Sequence, residues 1–111
     1  MVSSGRRAER RAAWWYRRRG YRMLATNAWV GGYELDLVVR RGRRVVFCEV
    51  KSKAGRTFGE ALEMVDAEKQ RRVRLAAAAW LAAHPEHAGL VVSFDVIAVQ
   101  EGRLVRLAEA F

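Results

Sequence analysis

The sequence contains little cysteine and histidine, with one Cys and two His among its 111 residues. A single cysteine excludes an internal disulfide, and these three residues are too few for a closed zinc site. No stretch approaches the roughly 18 apolar residues of a membrane-spanning helix. No apolar segment follows the basic N-terminus as it would in a signal peptide. We therefore expect a cytoplasmic protein that does not cross a membrane.

Acidic residues are scarce relative to basic ones. Lys and Arg number 21 against 12 Asp and Glu, which gives a formal net charge of +9, and nearly all the basic residues are Arg. Such a surface attracts polyanions, and guanidinium groups bind phosphate oxygens in bidentate fashion. The predicted partner is nucleic acid. Association with an anionic membrane surface is disfavoured because the apolar stripe of the first helix is narrow and rich in alanine.

The apolar periodicity predicts one domain over residues 1–111, in the order helix, three strands, helix, strand. We expect a helix over 4–19, strands over 21–30 and on both sides of residues 42 and 43, a helix over 60–83 kinked near Asp66, a strand over 90–100 and an edge strand over 103–107. The second helix would cross between the third strand and a parallel partner. The predicted fold class is α/β, with a mixed sheet flanked by helices.

The segment GYELDLVVRRGRRVVFCEVKSK has the pattern of a β-hairpin. Its central Gly-Arg pair is typical of a type II′ turn, and a two-residue loop places Asp36 opposite Glu49 and Glu34 opposite Lys51. All four side chains would share one face, because strand side chains alternate with period 2. Opposed carboxylates repel each other, and a divalent cation such as Mg²⁺ would offset that repulsion. The alternative is a solvated face with cross-strand Glu–Lys pairs.

Two helical side chains are candidates for the same site. Glu9 lies at the edge of the apolar stripe of the first helix. Gln70, with Lys69, lies on the side of the second helix that the stripe ending at Trp80 would bury, and polar residues there need a reason. By contrast, Asp95 within the last long apolar run is interpreted as a buried structural acid.

Basic residues around the hairpin are candidate phosphate contacts. They come from the first helix, the loop after the hairpin and the second helix: Arg7, Arg11, Arg18, Lys53, Arg56, Lys69 and Arg71. Each group also has a plainer interpretation as a solvated helix face or a connecting loop. Trp14 is a candidate for stacking on a base, whereas Trp15 is expected in the core.

Asp36, followed after twelve residues by Glu49-Val50-Lys51, resembles the motif of the PD-(D/E)XK nucleases. The segments ELDLV, VVFCEVKSK, FGEALE and KQRR resemble more narrowly the YraN-like family of small bacterial proteins, over nearly the whole chain. The resemblance implies a restriction-endonuclease-like core. It implies that Asp36, Glu49 and the carbonyl oxygen of Val50 hold Mg²⁺ or Mn²⁺, with Glu34 as a further ligand. Lys51 would then orient or deprotonate the attacking water.

Two further residues match by resemblance. Glu9 resembles the helix-borne Glu of YraN-like proteins and archaeal Holliday-junction resolvases, and Gln70 resembles a pocket Gln of RecB-type nucleases. The chain departs from these patterns at Ala8, where Gly is usual, at Tyr33, which is either an insertion or a substitution for Gly, and at Arg74, where Tyr is expected. The likeness to resolvases implies branched or structured DNA, which is why DNA is favoured over RNA, and a symmetric cut would need a homodimer.

Two functions follow from these patterns. The first is a metal-dependent DNA endonuclease. The second is a non-catalytic nucleic-acid-binding protein that uses the same basic surface and keeps its carboxylates for structure.

Overall fold

The computed structural model describes residues 4–52 and 65–111. The elements follow in chain order: α1 (Ser4–Arg18), β1 (Arg22–Val30), β2 (Tyr33–Arg41), β3 (Arg44–Ser52), α2 (Ala67–Ala83), a 3₁₀ helix (Pro85–His87), β4 (Val91–Gln100) and β5 (Arg103–Leu107). The predicted order of helix, three strands, helix and strand is confirmed. Among the described residues, the helices are too short or too polar to span a membrane.

The five strands form one sheet in the order β1-β2-β3-β4-β5. β3 and β4 pair in parallel, and all other neighbours are antiparallel. A parallel pair needs a crossover connection, and α2 lies in that crossover as predicted. The protein is therefore a small α/β protein with a mixed sheet.

Each helix covers one face of the sheet. α1 buries Tyr16 in an apolar cluster with Leu37 and Cys48. α2 packs against Leu35 and Phe47 on the opposite face. It does so through the stripe that the sequence predicts: Val73, Ala76, Ala77 and Trp80. Burying one large apolar side chain contributes roughly 1.5–3 kcal/mol, so these two clusters hold both helices in place.

α2 begins at Ala67, and the prediction of one helix passing through Asp66 is wrong at this point. Asp66 has an extended backbone, with φ −73° and ψ 178°. Its side chain accepts a hydrogen bond from the backbone N–H of Lys69 at 2.9 Å. This contact is an N-cap, which satisfies a donor that the first turn would otherwise leave unpaired. The predicted helical residues 60–64 lie outside the described part of the chain.

Asp95 is buried and fully hydrogen-bonded, as expected of a structural acid. Only 1% of it is exposed, and its Oδ2 accepts from the hydroxyl of Tyr16 at 2.6 Å and from Nε of Arg106 at 2.9 Å. Its Oδ1 accepts from the backbone N–H of Glu109 at 3.1 Å. Burial raises the pKa of Tyr16 well above its ordinary value, so this hydroxyl remains a donor. Asp95 thus joins α1, β4 and β5.

Candidate metal centre and nucleic-acid surface

The turn between β2 and β3 has the predicted register. Arg41 pairs with Arg44, and the pairing continues in that register as far as Leu37 and Cys48. Gly42 has a φ of 60°, the left-handed conformation that the first central position of a type II′ turn requires. Before Leu37 in β2 and after Cys48 in β3, the two strands no longer pair and leave an opening between them. Asp36 and the Glu-Val-Lys motif lie at this opening.

Side-chain alternation breaks at the level of the motif in two neighbouring strands, and β1 has a further irregularity between Met23 and Ala25. Leu35 packs in the cluster under α2, whereas Leu37 packs in the cluster under α1. Residues two apart on a regular strand share a face, so Asp36 is an extra residue in β2. Asn27 is its counterpart in β1, at the same level, and has a left-handed φ of 49°. Because both strands contain the extra residue, the register is the same on both sides of this level, where Thr26 pairs with Leu37 and Ala28 with Leu35.

This break makes the prediction that four charged residues share one face wrong. Glu34 precedes the break in β2 and lies on the face that α1 covers. Glu49 and Lys51 lie on the opposite face, since Cys48 packs under α1 and β3 alternates regularly. Asp36 lies between the two strands. The charged groups therefore approach the opening from both faces of the sheet.

Three carboxylates meet on the α1 side of the opening. Glu9, Glu34 and Asp36 each offer one oxygen, and these oxygens lie within 4.8 Å of one another. All three residues are half-buried. Carboxylate oxygens at this separation suit a hard divalent cation, which coordinates oxygen at about 2.0–2.6 Å. The structure thus brings the helical candidate Glu9 beside the motif residue Asp36.

Asn27, which the sequence analysis missed, holds this cluster together. Its Nδ2 donates to Oε2 of Glu9 at 2.9 Å and to Oε1 of Glu34 at 3.1 Å. Its Oδ1 accepts from Nη1 of Arg6 at 3.1 Å. Asn tolerates the left-handed backbone better than most residues, which suits it to this position. The signal in the sequence was one amide side chain in the strand segment ATNAWV, whose only other polar side chain is that of Thr26.

Asp36 is anchored to β3. Its Oδ2 accepts a hydrogen bond from the backbone N–H of Val50 at 2.8 Å. Burial, and next the negative charge of Glu49, raise the pKa of Asp36 to about 7, although that hydrogen bond and the charge of Lys51 act in the opposite direction. A carboxyl group with this pKa changes its protonation state near neutral pH.

Glu49 is 4% exposed and hydrogen-bonded to Tyr33, whose hydroxyl donates to Oε1 at 2.7 Å. Burial raises the pKa of Glu49, while the Tyr33 hydrogen bond and the charges of Lys51 and Lys69 lower it. Burial also raises the pKa of Tyr33 well above its ordinary value. The Tyr that departs from the family pattern thus has a defined place beside the motif Glu. Lys69, predicted to contact phosphate, lies within electrostatic reach of the same carboxylate.

Gln70 donates a hydrogen bond from Nε2 to the carbonyl oxygen of Val65 at 3.0 Å, and its part in the pocket stays a prediction. That bond supports the start of α2. Arg71 donates to both carboxylate oxygens of Glu68, at 2.8 and 3.2 Å, on an exposed surface. The last two predicted phosphate contacts, Lys53 and Arg56, lie outside the described residues.

The arginines of α1 lie in separate rows. Arg6, Arg10 and Arg17 line a groove of about 400 Å³ between α1 and β1, together with Glu9. Two of the three predicted contacts, Arg11 and Arg18, line a different groove with Trp14, Trp15 and Leu104. Arg7, the third, is exposed. Adjacent helical positions differ in direction by about 100°, so the sequence alone does not say which row borders the acids.

Comparison with known proteins places these residues in a family. The model of the uncharacterised protein family UPF0102 matches residues 8–99, a range that contains the three clustered acids and the Glu-Val-Lys motif. The UPF0102 protein of Bartonella bacilliformis is 38% identical over 107 residues, covering 96% of this chain and 86% of the relative. A UPF0102 protein of Methylorubrum extorquens is 46% identical over 94 residues, covering 84% and 72%. That of Paramagnetospirillum magneticum is 43% identical over 106 residues, covering 92% and 81%. The predicted membership of a family of small bacterial proteins is confirmed, and the chain belongs to family UPF0102.

Proposed function

We propose that the protein is a metal-dependent nuclease that acts on DNA. The observation that carries the proposal is the meeting of Glu9, Glu34 and Asp36 within 4.8 Å, where β2 separates from β3. Glu49 and Lys51 lie close enough to this point to shift the pKa of Asp36. Clustered carboxylates beside one ammonium group are the groups that metal-assisted hydrolysis of a phosphodiester needs.

The residues present fit Mg²⁺ or Mn²⁺. Their donors are hard carboxylate oxygens, and Asp36, with a pKa of about 7, is substantially ionised in neutral solution. Asp36, Glu49 and the carbonyl oxygen of Val50 would hold the ion, as the motif implies, while Glu9 and Glu34 offer further oxygens from the α1 side. The bound ion would supply positive charge that acidifies a water molecule and neutralises a phosphate oxygen.

Lys51 has the main catalytic role among the residues of the chain. It would orient the attacking water or accept its proton, and its ammonium form would stabilise negative charge on the phosphorane. The reaction adds water across one P–O bond and yields a phosphate monoester and a free hydroxyl group. Tyr33 and Asn27 are positioning residues in this proposal, because each holds carboxylates in place without touching the phosphate.

The arrangement of elements supports a restriction-endonuclease-like core. A helix, three antiparallel strands, a crossover helix and a parallel strand occur in the order that the PD-(D/E)XK resemblance implies. The resemblance implies motif acids on two adjacent strands, and Asp36 and Glu49 lie on β2 and β3. We extend the resolvase likeness to a preference for branched or structured DNA, with a homodimer placing two sites for a two-strand cut.

A non-catalytic nucleic-acid-binding protein is the second candidate, and one observation favours it. In residues 4–52 and 65–111, each buried side-chain nitrogen or oxygen has a hydrogen-bond partner without any ion. Asn27 and Tyr33 donate to three of the acids. In this reading the carboxylates are structural acceptors and the basic surface is the functional part.

A nuclease assay separates the two candidates. The parent protein and Asp36→Asn would be incubated with linear, flapped and four-way DNA, with Mg²⁺, Mn²⁺ or EDTA. Both proteins would be purified from a host that lacks its own copy of the family. Cleavage by the parent with metal, and none by the variant, supports the enzyme. Equal cleavage by both would indicate a contaminating nuclease, and DNA binding without cleavage would establish the second candidate.

A further inference from the structure

Trp29 is a large aromatic residue exposed beside the acidic cluster. It lies on the edge strand β1 with 70% of its surface exposed. It pairs directly with Glu34 across β1 and β2, so the two side chains project from the same face with Cβ atoms roughly 4.5–5.5 Å apart. Glu34 in turn shares the Asn27 amide with Glu9. The indole ring therefore borders the carboxylates and is not part of the core.

The groove between α1 and β1 reaches the acidic cluster from the end opposite to Trp29. Three residues, 19–21, connect the two elements, so α1 and β1 run in opposite directions. Arg17 lies near the connected end of this groove, and Arg10 lies nearer to Glu9. Beyond Glu9, at the far end of β1, comes Trp29. From the connected end outward, the order along α1 and β1 is thus Arg17, Arg10, the acidic cluster with Arg6 bound to Asn27, and Trp29.

We propose that an unpaired base of the DNA substrate stacks on Trp29, while the backbone of the same strand lies on Arg10 and Arg17 in the groove between α1 and β1. This inference rests on the proposed function and names the substrate class, a strand with at least one unstacked nucleotide next to the site. Bases inside a duplex are already stacked on their neighbours. An exposed ring on a strand edge is therefore available only to an unpaired base, and such stacking is largely independent of sequence.

The other face of α1 has a similar composition but a different environment. Trp14 is 59% exposed, and the guanidinium of Arg18 lies 5.6 Å from its ring centroid. The guanidinium of Arg19 lies 3.8 Å from the ring of Trp15. These aromatic faces already have cations beside them, and their groove leads towards Leu104 of β5. The groove between α1 and β1 is instead lined by Glu9 of the acidic cluster and by Asn27, which binds it.

The chain offers matched controls for both parts of this inference. Trp29→Ala should weaken binding of a flapped DNA by roughly 5- to 150-fold, the effect of one base–aromatic stack. Trp29→Phe should largely restore affinity because it keeps an aromatic face, and Trp14→Ala should change affinity little. Binding would be measured by fluorescence anisotropy in EDTA, so that it does not depend on cleavage. Both rings are exposed, and unchanged melting temperatures would show that the variants fold.

The arginine pairs provide the second comparison. Arg10→Gln with Arg17→Gln removes the same charge from the same helix at the same spacing as Arg11→Gln with Arg18→Gln. The first pair should flatten the dependence of log affinity on log salt by about 1.4, or about 0.7 per phosphate contact on a single strand. The strand path replaces the prediction that Arg11 and Arg18 contact phosphate, because these two line the groove that leads towards Leu104 and not the one that Glu9 lines. The second pair should therefore leave the salt dependence nearly unchanged.

The outcomes distinguish this inference from the proposed function. Equal losses from the two arginine pairs, or equal losses from Trp29→Ala and Trp14→Ala, would overturn the strand path while leaving a nuclease possible. Equal affinity of the parent for flapped and fully paired DNA would overturn the unpaired-base preference. Selective binding through Trp29 without any cleavage would support the strand path and reject the enzyme.

Discussion

The carboxylate of Asp36 accepts the backbone N–H of Val50 at 2.8 Å, at the level where β2 and β3 no longer pair. The carboxylate of the extra residue Asp36 thus accepts the hydrogen bond that a backbone carbonyl of β2 would accept in a regular antiparallel pair. The hydrogen bond fixes the position of Oδ2 relative to β3. A neutral amide at this position keeps an acceptor for Val50, so Asp36→Asn tests the charge with little change of geometry.

The first prediction concerns pH and the apo protein. Because the pKa of Asp36 is raised to about 7 in the folded state, from an ordinary 3.8, the folded protein binds more protons than the unfolded chain between these values. The contribution of Asp36 to stability is therefore fully present below about pH 4 and declines as the pH rises towards about 7. Relative to Asp36→Asn, the parent should lose unfolding free energy over this range. Urea titrations at several pH values measure it, and a pH-independent difference would contradict the burial of this charge.

The second prediction concerns metal. Mg²⁺ or Mn²⁺ at 100 times its dissociation constant should stabilise the parent by about 2.7 kcal/mol at pH 8. At pH 6 the gain should shrink, because the ion must displace the proton of Asp36. Asp36→Asn should abolish the gain, whereas Glu101→Gln, on the exposed turn before β5, should keep it. Thermal melts with and without metal give the answer, and no stabilisation of the parent by either ion would count against the metal centre.

The third prediction concerns Lys51. Lys51→Ala leaves Asp36 and Glu49 available to hold metal but removes the group assigned to the attacking water. Cleavage should fall by ~10²- to 10⁴-fold. DNA binding should persist, with at most about one unit lost from the salt slope. Single-turnover cleavage and anisotropy would be measured on the same preparations. If the parent, Lys51→Ala and Asp36→Asn cleave equally, the activity is not that of this protein.

The fourth prediction separates the backbone of Asn27 from its side chain. Both Asn27→Gly and Asn27→Ala remove the amide that holds Glu9 and Glu34, so both should weaken metal-induced stabilisation. Only Ala is strained at a φ of 49°, and that variant should be less stable than the Gly variant by roughly 1 kcal/mol. Equal stabilities of the two would contradict the left-handed conformation at this position.

The fifth prediction tests the structural role of Asp95. Asp95→Asn weakens its bonds to Tyr16 and Arg106 in a buried setting, and we expect a loss of about 1–3 kcal/mol in unfolding free energy. The stabilisation by metal should remain as large as in the parent. A variant that retained its stability but lost the response to metal would assign Asp95 to the site instead.

Much of the architecture was predictable because local chemistry and global fold agree. The Gly at residue 42 and a two-residue loop determine the β2–β3 register, and an apolar stripe ending at Trp80 identifies the buried side of α2. The separation of the charged hairpin residues onto different faces was not predictable in the same way. The prediction that side chains alternate between the two faces assumes a regular strand. An extra residue at the same level in both strands leaves the pairing on either side unchanged, so the pattern of apolar residues does not reveal it. The contact between Tyr33 and Glu49 depends on how the hairpins pack together, which no local pattern encodes.

The paired extra residues in β1 and β2 also restrict how this hairpin evolves. Deletion of Asn27 alone would shift the remaining part of β1 by one position. Trp29 would then move from the α1 face of the sheet to the α2 face, and Ala28 from the α2 face to the α1 face, unless β2 changed as well. A deletion of one of these two residues is therefore expected to disrupt the pairing from this level to the end of the hairpin, whereas deletion of both would keep the pairing but remove the carboxylate of Asp36. Insertions and deletions among relatives should accordingly fall in the turns of this hairpin, and length changes at these two positions should occur only together.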